Sequence, residues 1–79
     1  MDAHSEIQRR ISDINIIYET ENVVEAMELI KKYSVRYIYI GGLEKLYYSP
    51  KGLSKFASNM NGNIEKVYSN EEVDIYKVN

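Results

Sequence analysis

A small α/β domain is the fold class that the 79-residue chain predicts, and three observations point to it. Val35 to Ile40 is an almost unbroken apolar and aromatic run that stops at Gly41-Gly42, the signature of a strand covered on both faces. Val23, Ala26, Met27, Ile30 and Tyr33 recur at helical spacing just upstream. Ile14, Ile16 and Tyr18 alternate before that helix, as a strand with one buried face does. Strand, helix and strand in succession make a βαβ unit, hence a right-handed crossover and a parallel pair. The expected architecture is a βαβαββ two-layer or three-layer sandwich. Its mixed four-stranded sheet has a parallel βαβ core and a C-terminal antiparallel hairpin, with a weak N-terminal helix in front.

The length fits a single domain over residues 1–79, with 1–12 weakly ordered or a short helix. A domain of this size buries only about 60% of the surface its unfolded chain exposes, so a partner surface is expected to supply part of its stability. The formal charge of −2 gives no concentrated basic face for nucleic acid. Arg9-Arg10, Lys31-Lys32, Lys51 and Lys55 are scattered and read as solvated or helix-end charges. With no cysteine in the chain, a disulfide partner and thiolate metal sites are excluded. No apolar run approaches the roughly 18–20 residues that span a bilayer, and no signal-peptide pattern opens the sequence.

Each element has a local cause. Ile7 and Ile11, four residues apart, allow a short helix with a narrow apolar stripe before Ser12. Asn22 is a good N-cap for the next helix, with Glu25 in capping-box register. Leu29 stands beside its stripe, Glu28 faces Lys32 at i, i+4, and the lysines fall late, as the helix dipole prefers. Ser49-Pro50 marks a further helix start, with Leu53, Phe56, Ala57 and Met60 as its apolar face, Gly52 weakening its first turn and Gly62 at its exit. Ile64 to Ser69 reads as a more polar strand near an edge. Asn70-Glu71-Glu72 is the hairpin loop before a final strand, Val73 to Val78.

Chemistry is sparse. The chain has no Walker-type phosphate loop, no Gly-x-Gly-x-x-Gly fingerprint and no nucleophile elbow. Gly41 or Gly42 reads as a φ > 0 turn at a strand end rather than an anion site. His4, the single histidine, reads as a surface residue. Parallel strands would set Glu19, Glu21, Glu44 and Glu71 along one edge, a rim that repels phosphate and suits a divalent cation or small ligand; solvated loop carboxylates are the simpler account. Of eight tyrosines, most fall in strands, where aromatic residues fit the pleated surface. Tyr33 closes the helix stripe, and only Tyr47 and Tyr48 fall outside a regular element. They lie in the Gly41 to Tyr48 loop, whose candidate interaction residues are Gly41, Gly42, Leu43, Glu44, Lys45, Tyr47 and Tyr48; the tyrosine pair either anchors a protein, glycan or membrane partner or packs in part onto the following helix.

Residues spread over nearly the whole chain carry a resemblance. Arg10-Ile11-x-Asp13-Ile14-x-x-Ile17-Tyr18, Lys32-Tyr33-x-Val35-x-Tyr37-Ile38-Tyr39-Ile40-Gly41 and Leu43-Glu44-x-x-Tyr47 resemble the soluble C-terminal tail of archaeal and Chloroflexi "YYY" polytopic membrane proteins. Gly52-Leu53-x-Lys55-Phe56 and Val73-x-Ile75-Tyr76-Lys77-Val78 are similar to the same tail. Gly42 stands where such tails often carry proline, and Lys45 where arginine is common. The resemblance implies a non-catalytic accessory domain with no cofactor of its own, at the extracytoplasmic face of a multi-spanning glycosyltransferase-like protein using lipid-linked sugars. Its implied partners are the membrane-embedded portion of that protein and a glycan. Met1 directly before a tail-like sequence suggests an excised fragment.

Overall fold

The computed structural model of the protein describes residues 3–79, with side chains from residue 6 onward. The readings of Met1 and Asp2 as a weakly ordered terminus, and of His4 as a surface side chain, lie outside what is described. Helix α1 covers Ala3–Glu19 without interruption. This corrects two expectations together, because the segment Ile14 to Tyr18 is helical and the N-terminal helix is long. Ile7, Ile11, Ile14 and Tyr18 form a continuous 4-3-4 stripe, and a cluster of β-branched residues at 14, 16 and 17 masks that period with a strand-like run. Ile17 is the α1 side chain that enters the core. Tertiary packing of one helical face overrides the strand propensity.

Helix α2, Val23–Lys32, starts as expected: Asn22 Oδ1 accepts from the Glu25 amide at 3.1 Å. It buries Ala26 and Ile30. At its end Ser34 adopts φ 54°, and the Val35 amide donates back to the Ile30 carbonyl at 3.0 Å, a Schellman-type close without the usual glycine. Lys32 reaches Asp13 of α1 at 3.3 Å instead of serving an intrahelical pair with Glu28.

Three strands make one antiparallel sheet in the order β1-β3-β2: β1 is Tyr37–Ile40, β2 Ile64–Ser69 and β3 Asp74–Val78. This replaces the expected four-stranded mixed sheet. With Ile14 to Tyr18 helical, no parallel βαβ pair exists among the described residues, and β1 finds its partner at the C-terminus. Tyr37 faces Lys77 and Ile40 faces Asp74 across that pair. The C-terminal hairpin and the edge position of β2 are as expected, with a bulge between Lys66 and Tyr68. β1 is also an edge strand and alternates, burying Ile38 and Ile40 while exposing Tyr37 and Tyr39, so it is not covered on both faces.

Helix α3 spans Gly42–Tyr47 and α4 Pro50–Ala57. α4 begins as the Ser49-Pro50 pair predicts, with Ser49 Oγ accepting from the Gly52 amide at 3.2 Å. A single turn, Asn59–Gly62, follows with every residue at positive φ, and it buries Met60. The helices cover one face of the sheet, making two layers. Ile17, Ala26, Ile30, Phe56 and Met60 meet Ile38, Ile40, Ile64 and Tyr76 between them.

Candidate interaction site

Gly41 to Tyr48, expected to be a loop, contains a helical turn that the fold holds by both ends. Gly41 is its N-cap in extended conformation (φ −107°, ψ −165°), and its amide donates to Glu44 Oε1 at 2.7 Å. Neither Gly41 nor Gly42 has positive φ, which corrects the turn read for them: the strand passes into α3 through extended backbone. At the far end the Tyr48 amide closes on the Glu44 carbonyl at 2.9 Å. The Tyr48 ring stacks on Tyr18 at 4.7 Å between centroids, and its hydroxyl donates to Asn15 Oδ1 at 2.7 Å. Tyr18 in turn donates to the Tyr39 carbonyl at 2.9 Å. Tyr48 therefore packs onto α1. Tyr47 meets it edge-on.

Glu44 and Tyr48 of the segment turn inward onto the fold, and Leu43, Lys45, Leu46 and Tyr47 turn outward. Leu43, Leu46 and Tyr47, at i, i+3 and i+4 on α3, are 77%, 86% and 74% exposed. Lys45 is exposed among them.

The four acids of the expected rim stand on four different parts of the fold. Glu19 ends a helix, and its carboxylate accepts from the Ser49 amide at 2.8 Å. Glu21 lies in the α1–α2 turn. Glu44 caps α3. Glu71 sits in the β2–β3 hairpin, where Asn70 Oδ1 accepts from the Glu72 and Val73 amides at 2.7 and 2.8 Å. This hairpin does approach the Gly41 turn, with the Glu72 carbonyl 3.7 Å from where a Cβ on Gly41 would stand. β1 and β2 both run antiparallel to β3, so their carboxyl ends share an edge without being neighbours. Among the described residues no three His, Cys, Asp or Glu side chains are grouped to hold a metal ion.

Behind this site lies a group that sequence reasoning placed at the surface. Lys55, 5% exposed, donates from Nζ to the Tyr18 carbonyl at 2.9 Å and the Gly52 carbonyl at 2.8 Å, with Nζ 4.2 Å from the centre of the Phe56 ring. It satisfies a carbonyl at the C-terminus of α1, as a cation there should. Burial pushes its ammonium down to about 8, against the opposing pull of Glu19. Gly52 makes this possible. A Cβ there would stand 2.5 Å from the Glu19 carbonyl oxygen and 2.7 Å from that of Tyr18. A glycine inside a helix pattern, three residues before a lysine, is the only trace of this arrangement in the sequence. Burial, with the charge of Glu44 and then Tyr48 behind it, raises the Tyr18 hydroxyl to about 12. Burial likewise raises that of Tyr48, followed by Tyr47, Glu44 and Glu19.

No family model, no curated protein and no solved structure matches this chain.

Proposed function

We propose that the chain is a non-catalytic interaction domain that docks through the outer face of α3. One observation carries this reading. Leu43, Leu46 and Tyr47 are more than two-thirds exposed on a helix that Glu44 and Tyr48 fix from behind. Large apolar side chains held rigidly in solvent mark interaction surfaces, because nothing in the fold itself is gained by presenting them. The partner we assign is the membrane-embedded portion of a multi-spanning, glycosyltransferase-like protein using lipid-linked sugars, with this domain at the extracytoplasmic face. The resemblance of the α1, β1 and α3 segments to the tails of such proteins supports that assignment. No described helix is long and apolar enough to cross a membrane, so the spanning part would lie elsewhere in such a protein.

The test is limited proteolysis at Lys45. In the bilayer-embedded parent protein, trypsin cleavage there should be strongly suppressed relative to the isolated chain, and Leu46→Ser should restore it. Equal cleavage in both settings would end the docking reading.

A further inference from the structure

The two edges of the sheet are not alike. β2 carries Glu65 and Lys66 and is kinked by its bulge, devices that keep another strand from adding to an edge. β1 reads Tyr-Ile-Tyr-Ile, with no charge, proline or bulge. Its register fixes which main-chain groups are open. The Val78 amide donates to the Arg36 carbonyl at 2.8 Å, so Arg36, Ile38 and Ile40 turn their main chain towards β3. Tyr37 and Tyr39 turn theirs to the open side. There the Tyr39 carbonyl accepts from the Tyr18 hydroxyl, and the Gly41 amide donates to Glu44 Oε1, closing that end of the edge. Among the described residues nothing meets the Tyr37 amide, the Tyr37 carbonyl or the Tyr39 amide.

Beside these three groups an apolar groove of about 160 Å³ runs between β1 and α1, lined by Ile14, Ile17, Tyr18, Val35, Tyr37 and Ile38. A strand laid along β1 places one side chain opposite Ile38, on the covered face, and its neighbours beside Tyr37 and Tyr39 on the outer face. The first enters the groove. The open ladder selects extended backbone, which alone presents donor and acceptor at this spacing. A second copy of the chain does not suit it. Tyr18 holds α1 against this edge, and pairing two β1 edges about a two-fold axis would bring two α1 helices to one groove. A bare segment fits.

We infer that the β1 edge takes up an extended peptide segment by strand addition, with Tyr37 pairing its main chain and one apolar side chain of the segment filling the groove between α1 and β1. None of these residues belongs to the outer face of α3, so this inference stands or falls independently of the proposed function.

The probe is a capped peptide of alternating threonine and leucine with a lysine at each end, titrated into the isotope-labelled full chain. The amide signals of Val35 to Tyr39 should shift, with a dissociation constant below about 1 mM. Hydrogen exchange of the Tyr37 and Tyr39 amides should slow at least about tenfold. Methylation of the peptide's main-chain nitrogens leaves its side chains in place but removes its donors, and should abolish binding. Ile14→Glu alters a side chain that is 46% exposed, so the far-ultraviolet spectrum should not change. It should weaken binding at least about tenfold. No shift at about 1 mM peptide, equal binding of the methylated peptide, shifts centred on Ile64–Ser69, or a wild type that dimerises through β1 would each overturn the inference.

Discussion

The two ends of α1 carry one apolar stripe and use it in opposite ways. At the C-terminal end Tyr18 is stacked on Tyr48 and donates to Tyr39, while the last carbonyls lie against Gly52 and Lys55 of α4. At the N-terminal end Ile7 and Ile11 face solvent. The spacing is the same along the helix, so spacing alone does not decide which turns become core. What decides is whether a second element can approach. Gly52 lets the α4 backbone come close to the end of α1, whereas the turn at Asp13 meets the end of α2 through the side chains of Lys32 and Tyr33.

The sharpest way to break this contrast is Gly52→Ala. The added carbon meets main-chain carbonyls, not a flexible side-chain end, so α4 must move off α1. The expected loss is about 3 kcal/mol, read by urea denaturation, and a small domain with such a loss is largely unfolded at 37 °C. Ile7→Ser, at the other end of the same stripe, should change monomer stability by under about 0.5 kcal/mol. Comparable losses at the two ends would show that the ends are not energetically distinct.

Second in size is a dependence on pH that only the packed end should produce. Lys55 titrates near 8 in the folded chain against 10.5 unfolded. Below pH 8 both states hold the proton and the penalty for a buried ammonium is fully present. Between 8 and 10.5 the unfolded state binds more protons, so stability rises with pH. Tyr18 acts in the opposite sense: its hydroxyl ionises near 12 when folded and 10.0 when unfolded, so stability falls above pH 10. Urea titrations should show a gain on the order of 2 kcal/mol from pH 8 to 10, then a decline. Lys55→Met should flatten the rise and keep the decline. A flat profile in the wild type would show that the Tyr18 and Gly52 carbonyls fully compensate the burial.

These residues also show where sequence was and was not enough. The start of α2 at Asn22 and of α4 at Ser49-Pro50, and the strand Ile64–Ser69, were legible because caps and turn residues act on their immediate neighbours. Ile14 to Tyr18 was not. Four apolar residues in five satisfy period 2 and period 3.6 alike, and the choice fell to contacts with Tyr39, Tyr48 and Phe56, remote from the segment along the chain. The parallel sheet failed with it. At the candidate site, the segment Gly41–Tyr48 was locatable from its composition. The split into an inward Tyr48 and an outward Tyr47 was not, because it depends on where α1 lies. Lys55 was invisible for the same reason: its carbonyl partner on Tyr18 is remote in sequence.

A smaller effect concerns the junction between the two ends. Ser34 closes α2 at φ 54°, directly after Lys32 and Tyr33, which hold the middle of α1 through Asp13. The Tyr33 hydroxyl, then Lys32, holds the Asp13 carboxyl below its ordinary range, so this link is intact at neutral pH. Left-handed backbone at a non-glycine residue costs roughly 1–2 kcal/mol, part of which glycine recovers against its greater freedom when unfolded. Ser34→Gly should therefore stabilise the chain by about 1 kcal/mol. No gain on thermal denaturation would mean that Ser34 is held at positive φ without strain.

The smallest expected change is the most informative about α3. Leu43→Asp and Leu46→Asp alter side chains that the fold leaves in solvent, so each should shift the unfolding midpoint by less than about 0.5 kcal/mol equivalent. Tyr48→Phe, one residue beyond this helix, removes the hydrogen bond to Asn15 and should cost about 1 kcal/mol. If the leucine variants are neutral while Tyr48→Phe is not, the helix is held by its inner side and offered by its outer one. If the leucine variants destabilise the isolated chain, their apolar area is part of the fold, and the reason for assigning α3 to a partner is gone.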